Sequence, residues 1–153
     1  MRRARRGYEA APRRGDRTVL AALRRRAAPA AAAVVTVAAG LSVRSVLGGD
    51  LAKYAGDALY ALLIFWLVLM VAPRTRGWAA AAVACGVSVA VELFQLTGIP
   101  AELGAHSTLA RLVLGTTFNA PDLPFYVVGA AVGWALHHLA GRFIRRRART
   151  VRG

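Results

Sequence analysis

The chain has 153 residues, 57% of them hydrophobic, and a formal net charge of +14. One modest domain fits that length, and a soluble domain of this size does not carry so large an apolar share in repeated long uncharged stretches, so the composition excludes an ordinary water-soluble domain. Nucleic acid is excluded as the reason for the charge: ten arginines precede Ala27 and six follow Gly141, which places them in flanks of apolar segments and not on the face of a recognisable binding fold.

The elements in chain order are those of a membrane bundle. A basic tail over residues 1–26 leads into a first apolar segment at about 27–43, "AAPAAAAVVTVAAGLSV", alanine-rich but long enough to cross a bilayer. A cleaved signal peptide is the competing reading of this start, with "VAA" as its small-residue site, and the long basic stretch before the apolar run argues against it. The second segment, about 55–72, "AGDALYALLIFWLVLMVA", is the most hydrophobic, and the third runs from Trp78 to about Leu96. The stretch "AELGAHSTLARLVLGTTFNAPDL" that follows is too short and too interrupted by glycine to span. Within it Ser107 is positioned to cap a two-turn helix that Gly115 terminates, an interfacial or re-entrant helix. A fourth segment at about 124–140, "PFYVVGAAVGWALHHLA", precedes a second basic tail over 141–153. The expected fold is therefore all-α, a polytopic bundle of four transmembrane helices over 27–140 with a short helix between the third and fourth.

Arginine placement orients the bundle. Both tails and the loop with Arg74 and Arg76 are basic, and four spans put these three regions on one side, which the positive-inside rule assigns to the cytoplasm. Anionic lipid headgroups are the expected partners of the basic tails. The small-residue patterns, Gly129 with Gly133 and a stripe of Ala82, Gly86 and Ala90, are expected to pack helices within the bundle or between copies of the chain, which makes a homo-oligomer a further expectation.

Polar residues inside these spans are the candidates for function. Glu92 lies 14 residues beyond Trp78, roughly 21 Å along a helix at about 1.5 Å per residue, where a carboxylate costs on the order of 3 kcal/mol if it faces lipid. Gln95 follows on the same face. Asp57 near the start of the second span, and Asp122 and Tyr126 near the start of the fourth, fall at the same outer end, and Arg111 of the short helix is expected to close over them as the partner of Glu92 or Asp122. Simpler roles compete: acids near helix starts favour the positive end of the helix dipole, and Gln95 can bond a neighbouring helix. Cys85 has no partner for a disulfide, and His106, His137 and His138 lack the spacing of metal ligands. No cofactor motif and no catalytic nucleophile with its base are found.

The succession "YAGDALYALLIFWL", "VELFQL" and "LARLVLGTTFNAPDLPFYVVGAAVG" resembles a family of small bacterial integral membrane proteins, domain-of-unknown-function family 2809, over roughly 43–139. The resemblance attaches signature positions to Asp57, Glu92, Gln95, Arg111, Leu114, Gly115, Phe118, Asp122, Tyr126 and Gly129. A looser similarity is to VanZ-like membrane proteins, which also carry E-x-x-Q on one helix and then an arginine and an aspartate before a glycine-rich last helix. The chain departs from them in having "FYVVG" where an asparagine is common after that aspartate. This likeness implies an association with cell-envelope glycopeptide or lipid-carrier biology, and the residues themselves leave a headgroup-binding protein, a small-solute or proton transporter and an intramembrane enzyme as the functions to be compared.

Overall fold

A computed structural model describes residues 14–150. Residues 1–13 of the expected first tail and 151–153 of the second lie outside the described residues. The chain folds into helices α1 (Arg14–Val46), α2 (Gly49–Val71), α3 (Gly77–Gln95), α4 (Ile99–His106), α5 (Thr108–Leu114) and α6 (Leu123–Thr150), with a 3-10 turn at Ala120–Asp122 before α6. Four of them are long and apolar enough to cross a membrane, over Leu20–Val46, Gly49–Val71, Gly77–Gln95 and Ala120–Phe143. The tails are not separate from the helices: α1 begins well before the apolar run and α6 continues past it, because Arg, Ala and Leu are among the best helix formers and extend a helix without needing burial. α1 also runs through Pro29, which has no N–H to give to the Arg25 carbonyl and leaves that one bond unmade.

Each helix presents a narrow stripe to its neighbours. On α2 the buried residues are Ala61, Leu62, Phe65, Trp66 and Leu69, and on α3 they are Ala80, Ala84, Ser88 and Glu92, spacings of three, four and seven that lie on one helical face. α2 is central, touching α1, α3 and α6, while α1 packs chiefly along α2. Only 17–22% of each spanning window is buried, and Val34, Val71, Leu93, Val127 and Leu139 are among many exposed large side chains. In water that much open apolar surface would drive association. In a bilayer it is the surface that faces lipid.

α2 and α6 approach each other closely. A Cβ placed on Gly129 would fall 2.8 Å from the Ala58 carbonyl carbon and closer still to its oxygen, and one on Gly133 would meet the Phe65 ring at 2.7 Å. The Gly129 and Gly133 pattern thus packs helices within the bundle. The expected stripe of Ala82, Gly86 and Ala90 does not: these residues are exposed and a Cβ on Gly86 meets nothing. The parallel stripe of Ala80, Ala84 and Ser88 is the one turned inward, because it carries Ser88 and Glu92, whose polar atoms are best satisfied away from lipid.

Between α3 and α6 the chain forms two short helices where one is expected. Ser107 caps α5 as anticipated, its Oγ accepting from the Ala110 N–H at 3.2 Å, and Gly115 ends it at φ 65°. The additional helix, α4, is marked by Gly98 at φ 76° just past α3 and by Pro100 in its first turn, the usual stop and start residues.

Candidate functional site

One end of the bundle, where α3 finishes and α2 and α6 begin, collects the acids. Glu92 stands in the last turn of α3, three residues before its end. It is 1% exposed, and its cover is the chain leading into α6 more than depth along the helix: Glu92 Oε1 accepts from the Asn119 backbone N–H at 2.5 Å and Oε2 accepts from the Tyr126 hydroxyl at 2.7 Å. Glu92 therefore ties α3 to both the loop and the first turns of α6.

Asp122, 3% exposed, faces α2. Its Oδ1 accepts from Lys53 Nζ at 2.8 Å and from the side-chain amide of Asn119. Lys53 in turn lies 5.9 Å from the centroid of the Tyr54 ring, which stacks on Phe125 with centroids 4.4 Å apart. Asp57 follows Lys53 by one helical turn on the same face and lies within electrostatic reach of Lys53, Asp122 and Glu92. Its Oδ2 is buried and has no hydrogen-bond partner among the described residues.

Gln95 is held apart from this cluster. Its Nε2 donates to the Leu114 carbonyl at 2.7 Å, which fixes α5 against the end of α3, and its Oε1 is buried with no hydrogen-bond partner among the described residues. Gly115 admits this contact, since a Cβ there would overlap the Gln95 amide.

Five of the six expected site residues thus gather at one end: Asp57, Glu92, Asp122 and Tyr126 in one cluster and Gln95 beside it. Arg111 does not join them. It is exposed, forms no ion pair among the described residues, and lays its Cβ against the Gly104 position of α4. Both acids expected to need it are already served, Asp122 by Lys53 and Glu92 by Asn119 and Tyr126. The contributors not foreseen are Lys53 and Asn119. Lys53 precedes Asp57 by four residues, and Asn119 precedes Asp122 by three; both spacings were open to reading.

This distribution of partners has a measurable consequence. Lys53→Met leaves the buried Asp122 with the Asn119 amide alone and should cost about 1.5 kcal/mol, the low end of the range for a hydrogen bond to a charged group, because the Lys53 side chain is 42% exposed. Arg111→Ala should stay within about 0.5 kcal/mol. Thermal unfolding in detergent, with a Lys53→Met and Asp122→Asn double-mutant cycle, checks both. A larger loss from Arg111→Ala than from Lys53→Met would contradict the pairing.

These features define a small multi-pass membrane protein with a polar cluster at one end of a four-helix bundle. The chain belongs to the DUF2809 family, described as proteins of unknown function, whose profile matches residues 46–130. That span runs from the end of α1 into α6 and contains every residue of the cluster. No curated protein and no solved structure is significantly similar to the chain.

Proposed function

We propose that the chain is a non-enzymatic protein of the bacterial plasma membrane that holds a polar headgroup or a cell-envelope precursor at its acid-rich end. The observation that carries this reading is the buried Asp57 Oδ2, without a partner among the described residues, beside the Lys53–Asp122 pair, with Gln95 Oε1 a second such acceptor at the same end of the bundle. Buried acceptors are rarely left bare in native structures. Two acceptors and several carboxylates suit a ligand rich in donors, with ammonium or hydroxyl groups. The likeness to VanZ-like proteins supports an envelope setting, and the arginines support an orientation with both termini in the cytoplasm and the acid-rich end outward.

Transport is supported less. Away from this end, the next polar side chain on the inward stripe of α3 is Ser88, whose hydroxyl donates to the Ala84 carbonyl at 2.9 Å, followed by Ala84 and Ala80 against Phe65 and Leu69. A proton or solute would meet an apolar plug there. An enzymatic reading is supported less as well: Ser107, next to His106, is engaged as a helix cap, and His106 is exposed.

Mass spectrometry of lipids and metabolites retained by the detergent-purified protein, compared with Asp57→Asn, tests the proposal. A headgroup-bearing molecule should accompany the parent and fall at least about tenfold in the variant, as expected for loss of a hydrogen bond to a charged group. A folded Asp57→Asn protein that retains the same molecules in the same amounts would sink it. In intact cells, an impermeant thiol reagent should not reach a cysteine placed at Arg76 in a Cys85→Ala background.

A further inference from the structure

The other end of the bundle carries a feature that the acid-rich cluster does not explain. A groove of about 360 Å³ runs between α3 and α6, lined by Trp78, Ala81 and Cys85 on one side and by Val127, Ala131 and Trp134 on the other. From Trp78 to Cys85, and from Trp134 back to Val127, it follows seven residues of each helix, about 10 Å at 1.5 Å per residue. Its lining side chains carry no oxygen or nitrogen apart from the two indoles, and it opens sideways, where Trp78, Val127 and Trp134 are exposed on the surface that faces lipid. Since it runs with the helices, it also runs with the acyl chains of a surrounding bilayer.

Charge marks one mouth of the groove. Gly77, where α3 starts, packs beneath Trp134 and His137, with a Cβ there 3.2 Å from each ring, so Trp78 and Trp134 lie at the same level. Arg76 is two residues before Trp78, Arg74 is in the same turn, and both side chains are exposed. On α6 the row continues past the groove as Trp134, His138 stacked on it at 5.9 Å, and exposed Arg142. Among the described residues neither Arg74 nor Arg76 forms an ion pair, and no acid occurs from Leu59 to Val91 or after Asp122. An apolar trough along the bilayer normal, a pair of tryptophans at headgroup level and exposed arginines at the mouth together match one amphiphile.

We propose that the α3–α6 groove seats one acyl chain of an anionic phospholipid whose phosphate is held by Arg74 and Arg76. Charge complementarity selects an anionic head over a zwitterionic one, and the apolar lining selects a chain over a peptide with polar backbone. The inference is independent of the proposed ligand at the acid-rich end.

The test uses the two tryptophans as reporters. In a Trp66→Phe background, which leaves only Trp78 and Trp134, the full-length protein is reconstituted into phosphatidylcholine vesicles. These contain a low mole fraction of phosphatidylglycerol or phosphatidylethanolamine with brominated acyl chains. Brominated phosphatidylglycerol should quench with an apparent affinity roughly fivefold higher for each arginine engaged, since each basic residue near the surface contributes about that factor. Arg74→Gln with Arg76→Gln should lower that preference by about fivefold for each arginine removed, the remainder being due to the basic tails. Ala131→Phe, at an exposed position that fills the trough without touching the core, should lower it as far while leaving the fold intact. Equal quenching in the parent overturns the proposal. So does a phosphatidylglycerol preference undiminished by Ala131→Phe, because the lipid would then be held by the arginines outside the groove.

Discussion

Replacing Gly129 with alanine should prise α2 from α6 and cost the bundle about 3 kcal/mol, at the top of the range for overpacking. The added carbon meets the backbone of Ala58 and not a side chain that can turn away, so the only relief is to move a whole helix. Gly133→Ala provides the contrast: its new carbon meets the Phe65 ring, which can shift within the core, and the expected loss is nearer 1 kcal/mol. Gly86→Ala, on the open face of α3, should cause no loss, since alanine favours helix over glycine. Unfolding in detergent, followed by helical signal or by accessibility of Cys85, ranks the three. If Gly86→Ala proves the most damaging, the α2–α6 crossing is not the tight contact of this fold.

The second large effect belongs to Glu92. Glu92→Ala removes the acceptor for both the Asn119 N–H and the Tyr126 hydroxyl. Two orphaned donors at about 1–3 kcal/mol each put the cost at roughly 2–6 kcal/mol. Glu92→Gln should cost less, about 1–3 kcal/mol, because its amide oxygen still accepts from the Asn119 N–H and only the Tyr126 hydroxyl is left to find another acceptor. The pair of variants separates two roles of one side chain. A folded Glu92→Gln protein that no longer retains its headgroup ligand assigns a binding role to the carboxylate, whereas full retention leaves Glu92 as the fastening between α3 and the chain into α6.

The spans were readable because a bilayer demands long apolar runs, and hydropathy measures that demand directly. Charged residues near their ends distorted the boundaries: Lys53 interrupts the hydropathy of α2, so the second span was expected to start at about residue 55, whereas α2 starts at Gly49. That shift moved Lys53 from an apparent loop onto the helix, and it is why Arg111 was expected to do the work that Lys53 does. The acids themselves were legible, since Asp57, Glu92, Asp122 and Tyr126 are polar residues in apolar surroundings. Asn119 was not, because half of its contribution is a backbone N–H that any residue could supply. Two parallel small-residue stripes on α3 were also indistinguishable by spacing. Only the polar members of one, Ser88 and Glu92, decide which face turns inward.

The hydrogen bonds of Glu92 also impose a timetable on synthesis. Its acceptor atoms are completed by residues 27 and 34 positions later in the chain. At about 5–20 residues per second, the nascent protein carries an unsatisfied carboxyl group for seconds after α3 has emerged. During that interval α3 is a poor candidate for release into lipid, so it is best retained in the insertion machinery until the first turns of α6 arrive. α1 and α2 face no such delay with respect to each other and can pair first. Insertion of this small bundle is then not helix by helix: α3, the short helices and the start of α6 would be handed to the bilayer together.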